Sequence, residues 1–113
     1  MPIRTKRIYD PPEPDDGFRL LTMRYWPRGI RRELVDRWER GLAPSRELLA
    51  DIRSGAIAWD EFAERYRFEM QTRPDSIAAM DALRAQAAAE VVTVMCGCKE
   101  ALHCHRTLLQ ALA

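Results

Sequence analysis

The run Val91-Val92-Thr93-Val94-Met95-Cys96 constrains this chain more than any other segment. It is apolar and β-branched without alternation, and a strand of that kind is stable only where both of its faces are covered. Such strands belong to parallel sheets layered with helices. At 113 residues the chain is sized for one domain spanning 1–113, large enough to bury a core without disulfide staples. The expected class is α/β: a single small layered domain with a mainly parallel sheet flanked by helices.

Other segments agree with that class. Ile3 to Tyr9 alternates with period two and reads as a first strand, which three prolines and the acidic stretch ending at Gly17 then interrupt. Phe18 to Tyr25 reads as a second strand, and Trp26-Pro27-Arg28-Gly29 as the turn that leaves it. From Arg31 onward the pattern becomes helical, with Leu34, Val35, Trp38 and Leu42 on one stripe that Gly41 and Pro44 close. Ser45 is a candidate N-cap for a short helix through Ile52. Asp60 is a candidate cap for a helix carrying Phe62, Tyr66 and Met70 and ending at Arg73-Pro74, and Asp75 for an alanine-rich helix reaching about Ala89. His105, Leu108, Leu109 and Leu112 fall at i, i+3, i+4 and i+7 on a terminal helix.

Charge excludes a uniformly basic nucleic-acid binder, since the net charge is only +1. A local basic patch survives this test, because the first 32 residues hold eight basic side chains against four acidic ones. Met1 to Arg7 lacks the apolar core of a secretory signal, and no segment has the roughly 20 apolar residues of a membrane span. A cytoplasmic protein is therefore expected. Thiols are normally reduced in that compartment, so three cysteines within nine positions read as buried, reactive or metal-binding.

Those cysteines lie in Cys96-Gly97-Cys98-Lys99-Glu100-Ala101-Leu102-His103-Cys104-His105-Arg106, which leaves the apolar strand and enters the terminal helix. Three readings compete there. In the first, the helix start favours an anion or a thiolate, making Cys104 and His105 candidate catalytic residues and Arg106 a ligand-binding one. Arg24, Trp26 and Arg28, leaving the second strand, would then join Arg106 around a small anionic or phosphorylated ligand, such as a nucleotide or a nucleic-acid end. The two loops converge if their strands are parallel neighbours. In the second, Cys96, Cys98, Cys104 and a histidine, His103 in the preferred set, bind zinc or another soft transition metal, or respond to redox change. In the third, the cysteines are core and the arginines meet a protein partner. Trp38, Trp59, Phe62 and Tyr66 read as core, and Asp10, Asp15 and Asp16 as candidate loop carboxylates.

Arg7-Ile8-Tyr9-Asp10, Asp16-Gly17-Phe18-Arg19-Leu20-Leu21, Arg24-Tyr25-Trp26-Pro27-Arg28-Gly29, Ala43-Pro44-Ser45 and the Trp59, Phe62, Tyr66 spacing together carry a resemblance. They resemble domain-of-unknown-function family 488, particularly its YeaO-like branch, over nearly the whole chain. Cys104-His105-Arg106 is similar to a Cys-His-Arg ending in other branches. The resemblance implies a small α/β domain and a set of recurring residues rather than a reaction. Where the YeaO-like pattern has Val-Asp-Arg, this chain has Thr22-Met23-Arg24, so an aspartate that could serve as a general base is absent.

Overall fold

A computed structural model describes residues 3–97 and 104–113. The strands are β1 (Ile3–Arg7), β2 (Phe18–Leu21), β3 (Arg37–Trp38) and β4 (Val92–Cys96), and the helices are α1 (Arg46–Arg53), α2 (Trp59–Thr72), α3 (Pro74–Ala89) and α4 (His105–Leu112). They form one four-stranded sheet in the order β1-β4-β2-β3. Every pairing is parallel, with Arg7 opposite Cys96 and Leu21 opposite Met95. The carboxyl ends of β1, β2 and β4 therefore lie along one edge, where ligands bind in open α/β sheets.

All five residues of β4 are buried, as the unbroken apolar run requires. Side chains alternate across a strand, so Val92 and Val94 join Leu20 on one face while Met95 joins Leu21 and Ile8 on the other. The first face packs against Leu48, Phe62, Tyr66, Met80, Leu83 and Leu109, drawn from all four helices. The second is covered by Met23, Trp26, Ile30, Val35 and Trp38 from the connection after β2. Cys96 has the parity of Val92 and Val94, so it belongs to the helical face where α4 begins.

The other end of the second face is ionic. Asp16 is 4% exposed and pairs with Arg19 and, at 3.0 Å, with Lys6. Thr93 Oγ1 donates to the Asp16 carbonyl at 2.6 Å. Gly17 allows this approach: its φ is 66°, and a Cβ there would lie 2.2 Å from the Val91 carbonyl oxygen.

The helix expected from Arg31 through Leu42 does not form. Two 3₁₀ turns, Arg32–Leu34 and Arg40–Leu42, flank the two-residue β3 instead. The exposed edge of β2 captures this segment: Asp36 N–H donates to Arg19 O at 2.9 Å, Glu39 N–H donates to Leu21 O at 2.8 Å, and Asp36 Oδ2 accepts from Arg19 N–H. Trp38 Nε1–H donates to Met23 O at 2.7 Å, so this ring covers the second face instead of a helical stripe.

Helix starts differ in detail from expectation. Ser45 caps α1, its hydroxyl accepting from Leu48 N–H. Ala58 rather than Asp60 stands at the N-cap of α2, and α3 begins at Pro74, whose fixed φ and missing donor suit a first helical position.

Candidate metal centre and its pocket

β4 ends at Cys96 and α4 starts at His105, with Cys104 as its N-cap residue. All three side chains are buried, at 4%, 6% and 1% exposure for Cys96, His105 and Cys104. His105 Nδ1 lies 3.7 Å from Cys96 Sγ and 3.9 Å from Cys104 Sγ. One ligand atom from each of the three lies within 4.8 Å of the others.

The opposite ring nitrogen decides how this group is oriented. His105 Nε2 lies 2.7 Å from the Thr22 carbonyl oxygen and 3.3 Å from Thr22 Oγ1. A carbonyl only accepts, so Nε2 carries a proton, and in neutral imidazole Nδ1 keeps its lone pair beside both sulfurs. Thr22 Oγ1 in turn donates to Met95 O at 3.0 Å, tying this tether to β4. A histidine fixed through its second nitrogen is the usual supporting arrangement of a metal ligand. Cys96, Cys104 and His105 thus form a group that can hold a metal ion.

β2 and β4 are parallel neighbours, so the residues that follow β2 come close to the end of β4 and the start of α4. A pocket of about 360 Å³ opens beside the cysteines and His105. Met23, Arg24 and Tyr25 line it from the β2 side, Tyr9 from beyond β1, and Leu49, Ile52, Arg53, Trp59 and Phe62 from α1 and α2. Trp59 stacks on Phe62 at 5.0 Å, Phe62 on Tyr66 at 6.2 Å, and Tyr66 lies 5.6 Å from the His105 ring. Tyr66 donates its hydroxyl to Leu42 O at 2.7 Å, and burial pushes its phenol well above the usual range.

The expected ligand-binding residues are divided by the fold. Arg24 lines the pocket, its Nε and Nη2 donating to the carbonyls of Pro44 and Ala43 at 3.1 and 3.3 Å. Trp26 packs edge-on against Trp38 at 5.3 Å and donates Nε1–H to Ile30 O, on the second face of the sheet. Arg28 is exposed on the turn, its carbonyl accepting from Tyr9 Oη at 3.3 Å. Arg106 is 3% exposed and reaches Cys96 O at 3.4 Å, lining a different cavity with Lys6 and Asp16. Cys98 and His103 lie outside the described residues.

His105, rather than a residue of the preferred metal set, supplies the imidazole among the described residues. Trp59 and Phe62 line the pocket as well as packing on the core, and only their shared helical face hinted at this. Thr22 had no signal of its own, since it acts mainly through its backbone carbonyl. Asp16 is occupied by Lys6 and Arg19, and Asp15 pairs with Arg4 at 3.1 Å, so these carboxylates serve the fold.

A family model described as the Active DUF488-N3 subclade matches residues 3–113. The chain belongs to that subclade. Within this DUF488 family it is 39% identical over 72 residues to the uncharacterized protein YeaO of Escherichia coli (strain K12), an alignment covering 62% of this chain and 63% of that protein. It is 37% identical over 112 residues to the uncharacterized proteins Mb3100c of Mycobacterium bovis and Rv3073c of Mycobacterium tuberculosis, covering 97% of this chain and 92% of each. No solved structure matches this DUF488 chain significantly. Among the described residues no helix is long and apolar enough to cross a membrane.

Proposed function

We propose that this DUF488 protein is a metal-bearing module in which Cys96 Sγ, Cys104 Sγ and His105 Nδ1 bind a soft transition metal, zinc foremost. One observation carries the reading: the two sulfur-to-Nδ1 distances of 3.7 and 3.9 Å. In a tetrahedral zinc site, with Zn–S about 2.3 Å and Zn–N about 2.05 Å, that edge is about 3.6 Å. Both sulfur-to-nitrogen edges therefore need only a small contraction to close on an ion. The positive end of α4 beside Cys104 favours its thiolate form, which is the ligating one.

Three protein ligands beside a pocket leave a fourth position for water or a substrate oxygen, the arrangement used by catalytic zinc rather than by closed structural sites. A zinc ion held there would act as a Lewis acid and make its bound water acidic. His105 is held at the correct angle by Thr22, and Trp59 and Phe62 limit water on one side. The description of the subclade as active supports a site that acts on a ligand. Cys98 and His103 carry donor chemistry for a fourth protein ligand, and substituting them separates an open site from a closed one.

Metal content of protein purified without chelator tests the reading. One equivalent of zinc per chain is expected, with loss of it in Cys96→Ser and Cys104→Ser and retention in Cys98→Ser if the fourth position is open. Cobalt substitution should add a thiolate-to-metal absorption band. Protein that is folded and reduced yet takes up neither zinc nor cobalt overturns the proposal. The proximity of the two sulfurs also supports a redox reading, in which hydrogen peroxide converts both thiols to a disulfide and two waters. A mass loss of two hydrogens in metal-free protein would favour that reading instead.

A further inference from the structure

We propose that the pocket beside Cys96, Cys104 and His105 takes a small organic anion, with a flat apolar body against Trp59 and Phe62 and a phosphate or carboxylate end at Arg24 and Arg53. The inference rests on the preceding reading of this pocket as the ligand side of the metal centre. It adds the chemical class of what enters.

Charge sets the sign of the ligand. Arg24 and Arg53 are the charged side chains other than the Cys and His group in the described lining, and no carboxylate accompanies them. A zinc ion bound by two thiolates and a neutral imidazole has no net charge, so the metal centre would add no counter-charge to either guanidinium inside this pocket. An anion would complete the site, whereas a neutral or cationic ligand would leave the half-buried Arg24 and the exposed Arg53 without a counter-charge inside this pocket.

Arg24 is prepared for this role. Backbone carbonyls take its Nε and Nη2 hydrogens and hold the guanidinium in place, while Nη1 has no protein partner among the described residues. Burial, and then the charge of Arg73, lower the Arg24 pKa from its ordinary value, and Asp75 and Glu69 offset this only in part, so an anion beside it would be favourable. Arg53 is exposed at the C-terminal end of α1, and its side chain makes no hydrogen bond or ion pair with other described residues. It is available to a ligand without dismantling the fold.

Shape sets the body. The remaining lining is apolar or aromatic, with Tyr9, Tyr25 and Trp59 in it and Phe62 adding a ring edge, since Trp59 and Tyr66 stack on its faces. The volume of about 360 Å³ suits a single ring with a substituent rather than a polymer.

The test titrates zinc-loaded protein by calorimetry with phenyl phosphate, benzoate, benzyl alcohol and inorganic phosphate, measuring metal content on the same sample. Phenyl phosphate should bind at least about tenfold more tightly than benzyl alcohol, which lacks the charge, and than inorganic phosphate, which lacks the ring. Arg53→Gln should weaken phenyl phosphate about tenfold and leave benzyl alcohol unchanged. Benzoate binding as tightly as phenyl phosphate supports any compact anionic end, and weaker benzoate binding narrows the class to phosphate monoesters. Equal affinities for phenyl phosphate and benzyl alcohol, or for phenyl phosphate and inorganic phosphate, overturn the inference while a full metal complement leaves the metal centre standing. Conversely, selective phenyl phosphate binding by protein that takes up no metal keeps the anion pocket and removes the metal.

Discussion

His105 Nε2 lies 2.7 Å from the carbonyl oxygen of Thr22, a residue 83 positions earlier in the chain. That bond joins the end of β2 to the start of α4 and turns Nδ1 toward two sulfurs. It makes one histidine both a tertiary clasp and a candidate metal ligand. His105→Ala should therefore lower zinc affinity by at least about 100-fold, beyond the 10- to 100-fold typical of lost supporting groups, and also lower stability by about 1–3 kcal/mol through the abandoned carbonyl. Thr22→Val keeps the carbonyl and removes only Oγ1, so its zinc affinity should change by less than about tenfold. Competition against a chromogenic chelator measures both, and unchanged zinc uptake by His105→Ala would remove this histidine from the site.

Zinc retention should depend on pH in one direction. The thiols of Cys96 and Cys104 must be deprotonated and Nδ1 unprotonated to ligate, so acid competes with the metal. Dialysis of loaded protein at stepwise lower pH should release zinc before the protein unfolds if the fourth position is open. Release coincident with unfolding points to a closed structural site.

Asp16 carries a separate acid sensitivity. Burial raises its pKa, but the Glu13 backbone N–H, the Lys6 ammonium and the Arg19 guanidinium outweigh that, and the net shift is below the ordinary 3.8. A folded pKa below the unfolded one means that its stabilisation is complete above about pH 4 and is lost as pH falls through the folded value. Denaturant titrations at pH 7 and at pH 3 and below should show this loss. In Asp16→Asn the acid dependence should flatten, with stability at pH 7 reduced by about 3 kcal/mol because Lys6 and Arg19 lose a buried partner.

Gly17 should tolerate no side chain. Its positive φ and the 2.2 Å approach of a built Cβ to the Val91 carbonyl both oppose substitution. Gly17→Ala should cost at least about 2 kcal/mol, and Gly29→Ala, also at positive φ but with open space around it, should cost about 1 kcal/mol. Thermal unfolding of the two variants side by side separates backbone strain from collision.

Ser45 links α1 to α2, since its hydroxyl caps Leu48 N–H and its hydroxyl and backbone N–H both donate to Glu69. Ser45→Ala should lower stability by about 1 kcal/mol, or about 4 °C in Tm. A Tm unchanged within 1 °C, on the order of error in such scans, would mean that solvent replaces the cap.

Local patterns were readable where neighbours in sequence decide the outcome. The β4 run names its own burial, the i, i+3, i+4, i+7 stripe names the buried face of α4, and Ser45 announces α1. The stripe Leu34, Val35, Trp38, Leu42 misled because the edge of β2 offered this segment's backbone a better set of partners than its own helix would. Helical periodicity records which side chains want burial, and an extended edge can satisfy the same want. The candidate site was legible as a concentration of thiols and imidazoles at the end of the central strand.

By itself, then, the sequence determined the class of sheet, the central strand and the region where soft donor atoms gather, because continuous apolar runs and soft donor atoms are local properties. Tertiary structure alone decided that Arg24 shares the pocket with Cys104 while Trp26, Arg28 and Arg106 go elsewhere, and that His105 directs Nδ1 at two sulfurs. Those outcomes depend on strand parity and on a carbonyl oxygen at Thr22. No side-chain pattern can encode that oxygen, because every residue carries one.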